Sequence, residues 1–347
     1  MPNAPFTFHA PARRGSRRLT IGIAIALLLL CVALAGTWFL VTREARQQAS
    51  AVAQLRNHNV LVMYDYNLGA NGYWNRNAVP AEPAWRRWLL GDDFSHHVIA
   101  VDAALAGHSA TGEPFGDARM QHVGRLKMLQ QLLLSRIEVT DAGLAQLRDL
   151  CELRSVLLED TAITDAGLEH LRALTKLEKL DLSGTRLDGS GLIHLRGLTK
   201  LRWLGLQSTA IGDDALAHLA GMTQLRQINL SGNRIGDAAM KHLRTLSQLE
   251  IITLDSTAVS DRGLKELAGL AQLSHVSLGN TAVTLDGAME LRKALPGTTI
   301  VVDRNVDPQD RLRIPGPPQP AQPPPPATPP ADSLHHPPRA EPEPMER

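Results

Sequence analysis

The feature that most constrains this sequence is a phrase that returns every 24 residues. The segment Thr140-Asp-Ala-Gly-Leu144 recurs as Thr164-Asp-Ala-Gly-Leu168. Its last position continues at the same interval with Leu192, Leu216, Met240, Leu264 and, in a decayed copy, Ala288. A fixed period of this length is typical of stacked units, each of them one supersecondary element.

A second phrase, of the form L-x-x-L-x-L, keeps the same interval and occurs seven times, from 129–134 to 273–278. Its alternation of apolar and polar residues predicts a short strand. The spacing of Leu168, Leu171 and Leu174 predicts a helical half after the strand. Because a single unit cannot bury its own apolar face, the units must stack into a solenoid.

The position between the two halves carries residues that favour the start of a helix. The column consists of Thr140, Thr164, Asp188, Gly212, Gly236, Ser260 and Thr284. All of these are favoured N-cap types. An Asp usually follows, where the N-terminus of a helix favours negative charge.

These phrases resemble leucine-rich repeats, in the short form Ile163-Thr-Asp-Ala-Gly-Leu168 that is common in bacterial repeat proteins and is similar to the cysteine-containing repeats of F-box adaptors. The resemblance covers 98–303 and implies an α/β solenoid, a leucine-rich-repeat horseshoe with 24-residue repeats. One position that such repeats usually fill with Asn holds Thr161, Thr185, Thr209, Thr257 and Thr281, with Asn only at Asn233. We expect this Thr ladder to hydrogen-bond the turn backbone.

An uncharged run precedes the repeats. The 24 residues from Leu19 to Thr42 carry no charge, and as a helix they span roughly 36 Å, more than the ~30 Å hydrocarbon core of a bilayer. Four arginines stand just before the run, at positions 13, 14, 17 and 18, which places the N-terminus in the cytoplasm. We therefore predict a basic cytoplasmic segment (1–18) and one transmembrane helix in the lipid bilayer (19–42). The repeats would then lie on the periplasmic or extracytoplasmic side of a bacterial inner membrane.

A cleaved signal peptide is the alternative for this run. Ala33-Leu34-Ala35 has the A-x-A form of a cleavage site, and Ser16-Arg17-Arg18 faintly resembles a twin-arginine signal. The apolar run continues through 38–41, which favours an uncleaved anchor.

The repeat array needs capped ends. We assign 43–97 to a juxtamembrane segment and N-terminal cap, with a helix over 45–57 that turns Val52 and Leu55 inward, a strand over 59–66 and a short helix over 83–90. Val98-Ile-Ala-Val101 reads as the first repeat strand, 107–115 as an insertion, and Thr299-Ile-Val-Val302 as the last strand.

The tail 304–347 holds 15 of the 22 prolines, so we expect it to be disordered and extended. Its segment 317–320 fits the P-x-x-P pattern of ligands for SH3-like grooves, but a solvated spacer is favoured.

Composition and motifs exclude several functions. The chain has 36 basic and 35 acidic residues, without the basic excess of a nucleic-acid binder. Two cysteines, Cys31 and Cys151, cannot make a disulfide-dense scaffold or a four-cysteine zinc site, and we expect Cys151 to be buried. No nucleophile-elbow, zincin, phosphate-loop or dinucleotide motif occurs. We predict no enzyme, no cofactor and no small-molecule substrate.

Two groups of residues raise the question of a metal. His170, His194, His218 and His242 share one repeat position and would form a column able to bind metal or sense pH. Half-exposed residues duplicated with their repeat are favoured, since no carboxylate column completes a metal shell. The segment 92–97, Asp-Asp-Phe-Ser-His-His, could bind a divalent metal, but a polar turn is favoured because adjacent side chains diverge.

The remaining candidate site is the concave face of the sheet, where the residues between the core leucines point away from the core. The tentative binding residues there are Leu157, Lys179, Asp181, Trp203, Gln227, Asn229 and Ile251. Trp203, beside Gly205, is either a binding hot spot or a ring that only shields its neighbours. We predict recognition of a protein partner by this face. The alternative is a structural element of the cell envelope, with the proline-rich tail as tether or spacer.

Overall fold

The computed structural model describes residues 14–69, 75, 78, 80, 96–103 and 115–302, with side chains of the N-terminal helix from Leu27 onward except at 38, 40 and 41. These residues belong to the first of two units, Met1–Val306; the second, Asp307–Arg347, lies outside the described residues. The predicted helix over 83–90, nearly all of the insertion at 107–115 and the tail 304–347 also lie outside them.

A ten-stranded sheet runs through the described residues, with its strands in chain order. The strands are β1 Leu61–Tyr64, β2 Val98–Asp102, β3 Gln131–Leu133, β4 Ser155–Leu157, β5 Lys179–Asp181, β6 Trp203–Gly205, β7 Gln227–Asn229, β8 Ile251–Thr253, β9 His275–Leu278 and β10 Thr299–Val302. From β2 onward each strand is parallel to the next, whereas β1 is antiparallel to β2. One long sheet built by stacking in chain order makes the fold a leucine-rich-repeat solenoid.

The helical side of the repeats is a mixture of α and 3₁₀ turns. The α-helices after the first are Asp117–Val123, Asp141–Leu144, Asp237–Leu243, Asp261–Leu267 and Leu285–Ala294. The 3₁₀ segments are Asp65–Asn67, Ala145–Leu147, Asp165–Leu171, Ser190–Leu195 and Asp213–Leu219. The three-residue spacing of Leu168, Leu171 and Leu174 suits a 3₁₀ turn, in which residues i and i+3 eclipse.

The leucine columns form the core. Leu180 and Leu204 in neighbouring strands are fully buried, as are Leu168 and Leu192 on the helical side. Because each column continues into the next repeat, every unit covers the apolar face of its neighbour, which a single unit could not do alone.

The Thr ladder bonds the turn backbone as predicted. The hydroxyls of Thr161 and Thr185 donate to the carbonyls of Leu158 and Leu182, three residues earlier, at 2.7 and 2.5 Å. At the one Asn, the Nδ2 of Asn233 donates to three carbonyls, including that of Leu206 in the preceding repeat at 2.6 Å. Thr therefore satisfies the turn inside its own repeat, whereas Asn also bridges two repeats.

Neighbouring repeats are joined on the helical side by an Asp that reaches into the next repeat. Asp141 accepts hydrogen bonds from the N–H of Thr164 (2.9 Å) and from its hydroxyl (2.6 Å). Asp237 and Ser260 form the same pair, at 2.8 and 2.7 Å. The same bridge joins Asp117 to Thr140 and Asp261 to Thr284. These carboxylates lie in the first helical turn as predicted, and they also bridge the repeats.

The Gly of the repeated phrase leaves room for this carboxylate. A Cβ on Gly167 would lie 2.3 Å from Oδ1 of Asp141, and one on Gly263 would lie 2.5 Å from Oδ1 of Asp237. Real Cβ atoms do not approach so closely, so at these two junctions a side chain in place of Gly would displace the carboxylate. Asp213 makes its single bond to Gly236 with Ala239 at the Gly position. One junction lacks the bridge, since Gly189 stands at the Asp position and Ala215 at the Gly position of the next copy.

The first helix, α1, runs without a break from Arg14 to Arg56. We predicted two helices, 19–42 and 45–57, but no proline or capping turn interrupts the chain between them. Side chains near the middle of α1 are exposed, Leu28 by 64%. Val52 and Leu55 are buried against the first strands, as predicted.

Among the described residues, one helix is long and apolar enough to cross a membrane. It is the part of α1 from Leu27 to Arg56, near the N-terminus. The hydroxyls of Thr37 and Thr42 donate to carbonyls three residues earlier, at 2.9 and 3.1 Å, so these polar groups need no water. Length and composition fit a membrane anchor and a signal sequence equally.

Candidate functional site

The face of the sheet opposite the helical turns carries two columns of side chains. We call it the open face and define it by the strand residues from Gln131 to Ser277 that flank the buried central residue of each strand. Lys179, Trp203, Gln227 and Ile251 are paired from strand to strand in one column. Asp181, Gly205, Asn229 and Thr253 are paired in the other. The structure thus brings all the predicted binding residues, Leu157 included, onto one face; their role in binding stays a prediction.

Trp203 lies folded against the sheet. Its Cη2 atom is 2.7 Å from the position that a Cβ of Gly205 would occupy. The ring therefore leans over Gly205, the one residue of the neighbouring column that has no side chain. The Nζ of Lys179 lies 4.9 Å from the ring centroid, a cation–π contact worth about 0.5–1 kcal/mol at an exposed site. The ring remains half-buried, so it shields Gly205 and still presents part of its surface.

Sequence reasoning missed a third column of polar residues, just beyond the strand ends. The amide of Asn229 donates from Nδ2 to Gln207 (2.9 Å) and accepts at Oδ1 from the hydroxyl of Thr253 (2.6 Å). Asp255 accepts from Ser277 Oγ at 2.6 Å. The signal was present as Ser183, Gln207, Ser231 and Asp255 at one repeat position. We did not follow it because these residues lie outside the alternating strand pattern.

These side chains surround a shallow polar pocket of roughly 250 Å³, lined among others by Gln207, Asn229, Ser231, Thr253, Asp255 and Ser256. Their hydrogen bonds to one another fix the orientation of the polar groups before any ligand arrives. The pocket lies on the C-terminal half of the open face.

Charges beside the open face are paired along the row of residues that precede the strands. Arg154 lies 3.0 Å from Glu178, and Arg226 lies 3.0 Å from Glu250. Such half-exposed pairs add little stability, about 0–1 kcal/mol each. Their effect is to keep the border of the face free of a patch of one sign.

The predicted histidine column is half-exposed at each position, as expected for a duplicated residue. Partial burial, and then the charge of Arg196 nearby, lower the pKa of His218. The Nδ1 of His218 lies 2.7 Å from a guanidinium nitrogen of Arg196. Within the described part of the chain, no group of three or more His, Cys, Asp or Glu side chains could hold a metal ion.

Two other candidates remain, the Asp92–His97 segment and Cys151. Residues 92–95 of the Asp92–His97 segment lie outside the described residues, whereas His96 contacts Asp65 through Nδ1 at 3.0 Å. Cys151 is exposed, so our expectation that it is buried was wrong. It occupies the turn between a helical segment and the next strand, where the core positions belong to Leu150 and Leu153.

A sheet of parallel strands in chain order, backed by short helical turns, defines a class of protein: a solenoid of β–helix repeats. The model of the Leucine Rich repeat family matches this chain at residues 173–195 and 221–243. The two matched stretches are leucine-rich repeats. The comparison with curated proteins gives no match.

Several solved structures are similar to this chain. Internalin C2 of Listeria monocytogenes is 22% identical over 56% of this chain and 88% of its own, with a TM-score of 0.45. A leucine-rich-repeat protein of Leptospira interrogans is 18% identical over 52% and 56%, with a TM-score of 0.38. A second Listeria internalin is 17% identical over 58% and 73%, with a TM-score of 0.36.

Proposed function

We propose that this chain is a membrane-anchored recognition protein that binds a protein partner through its open face. In this proposal α1 is an uncleaved anchor in a bacterial inner membrane, with the N-terminus in the cytoplasm and the repeats on the extracytoplasmic side. The exposed apolar side chains of α1 and the arginines that precede its uncharged stretch support this placement.

The observation that carries the proposal is the N-terminal half of the open face. Leu133 and Leu157 are only partly buried there, beside the charged Lys179 and Asp181 and the ring of Trp203. Protein interfaces combine aromatic and aliphatic anchors with a polar surround. The cation–π contact and Gly205 hold the ring in one place, which lowers the entropy lost when a partner binds.

The test is affinity capture from solubilised membranes, with Leu157→Asp as the disabling variant and Gln224→Asp, at an exposed residue outside the open face, as the matched control. We expect the wild type and Gln224→Asp to retain one and the same partner, and Leu157→Asp to lose it. Equal capture by all three would exclude the open face. If deletion of 304–347 abolished capture and Leu157→Asp did not, the structural-element alternative would be favoured.

A further inference from the structure

The C-terminal half of the open face differs in chemistry from the N-terminal half. The pocket there is lined by amides and hydroxyls, and of its eight described lining residues only Asp255 is ionisable. One oxygen of that carboxylate already accepts from the hydroxyl of Ser277 and the N–H of Gly279, both at 2.6 Å. The polar groups are therefore suited to a ligand that offers hydroxyls rather than charge.

The depth of the pocket has a local cause. Gly232 follows the strand end in the left-handed conformation, with φ +71°, and its counterparts in the flanking repeats are Ser208 and Ser256. Without a side chain at Gly232, a depression remains between the two serines. Its roughly 250 Å³ is below the ≈ 300–1,000 Å³ of sites for drug-sized ligands, so it fits one small ring of a larger ligand.

An aromatic surface lies beside this depression. Trp203 leans over Gly205, and Gly205 is paired with Asn229 on the next strand. Adjacent strands are about 4.8 Å apart, so the ring and the amide are neighbours. A pyranose ring has one face of C–H groups, which packs on an aromatic ring, and a rim of hydroxyls, which bonds to amides and carboxylates.

We propose that this pocket, together with Trp203, binds a neutral oligosaccharide: one sugar ring in the pocket, bonded to Asn229, Gln207 and Asp255, and the next on Trp203. The proposal rests on the open face being the recognition surface, as proposed above. It adds a ligand class and implies no reaction. The carboxylate of Asp255 disfavours acidic sugars.

The test uses the full chain in detergent and calorimetric titration with four probes: cellotetraose, maltotetraose, chitotetraose and the anionic tetragalacturonate. We expect saturable binding of at least one neutral probe and at least tenfold weaker binding of the anionic one. Asn229→Ala and Trp203→Ala should each weaken the neutral probe about tenfold, the effect of one lost hydrogen bond or ring contact. Ser155→Ala, on the same face outside the pocket, should leave it unchanged.

Gln207→Ala keeps the test decisive, because Asn229 also accepts the N–H of Ser231 at 3.1 Å and its loss could disturb the turn. The Gln207 side chain is exposed, so this variant should fold normally and still lose affinity. The proposal would be overturned if no neutral probe bound at up to about 10 mM, or if Gln207→Ala and Trp203→Ala both bound the neutral probe as tightly as the wild type. The protein-capture test is separate, since Leu157→Asp should leave the neutral probe bound.

Discussion

Removing the carboxylate of Asp237 should lower the free energy of unfolding of the repeat domain. The loss should be large for a side chain that lies outside the hydrophobic core. Asp237 accepts two hydrogen bonds from Ser260, one from the N–H and one from the hydroxyl. Hydrogen bonds to a charged group contribute about 1.5–3 kcal/mol each. Because both bonds share one carboxylate and are not additive, we expect Asp237→Ala to lower the free energy of unfolding by about 2–4 kcal/mol.

The chain contains a matched control for this variant. Asp213 occupies the same repeat position, but its bond is to the N–H of Gly236, at 2.7 Å, and Gly236 has no hydroxyl. Asp213→Ala should therefore cost about half as much. Urea unfolding followed by circular dichroism gives both values, compared at equal slope so that a change in the unfolding unit is detected. Equal costs for the two variants, or a cost below about 0.5 kcal/mol for Asp237→Ala, would refute the reasoning.

The pH dependence of the same variant gives an independent check. Burial raises the pKa of Asp237, but the hydrogen bonds from Ser260 and Gly263 and the charge of Arg262 outweigh it, so the pKa lies below the ordinary value of 3.8. A carboxyl group with a lowered pKa in the folded state stabilises above its unfolded pKa, and this contribution disappears as pH falls through the folded value. The stability difference between wild type and Asp237→Ala should therefore be constant near pH 7 and shrink below about pH 3.8.

Three further predictions follow from other sites. Gly167→Ala should destabilise by about 1–3 kcal/mol in urea unfolding, because the added Cβ would displace the Asp141 carboxylate; an unchanged midpoint would contradict the close approach. Burial first, and then the charges of Arg125, His58 and Arg119, lower the pKa of His122, so the contribution of His122 to stability is present above its ordinary pKa of 6.5 and is lost as pH falls. His122→Gln should therefore flatten the change in melting temperature between pH 7.5 and 5.5. An unaltered slope would exclude this role of His122. Intact-mass analysis of the membrane protein should find residues 1–42 retained, and a mature N-terminus just after Ala35 would instead establish signal cleavage.

The repeat strands could be predicted because the burial of a side chain can be inferred from the polarity of that one residue. A leucine column at fixed spacing specifies which side chains lie inside, and the strand register follows from it. Contacts between repeats were harder to predict, because they depend on how closely two units pack. The Asp141 carboxylate suited a helix start equally well whether or not it touched Thr164, 23 residues further on. Only the packed structure shows that Gly167 is there to admit it.

The candidate site could be predicted in part for the same reason. Alternation along a strand placed Trp203 and Asn229 on one face. The direction of Gln207 and Asp255 depends on the left-handed residue that follows each strand, and two-residue periodicity does not describe it. The continuation of the first helix into the cap was also missed. No helix-breaking residue stands near Thr42, and we did not take this into account when we ended the predicted helix there.

In the proposed membrane placement, the unbroken α1 helix sets both the distance of the repeats from the membrane and the direction in which they face. From residue 43 to Arg56 the helix rises about 20 Å, and its last turns are held in the core of the cap. Each residue inserted into this stretch would turn the repeats by about 100° about the helix axis. The surface offered to neighbouring molecules thus depends on the number of residues in α1, which lies far from that surface. Only insertions of whole helical turns would leave the direction of the surface unchanged.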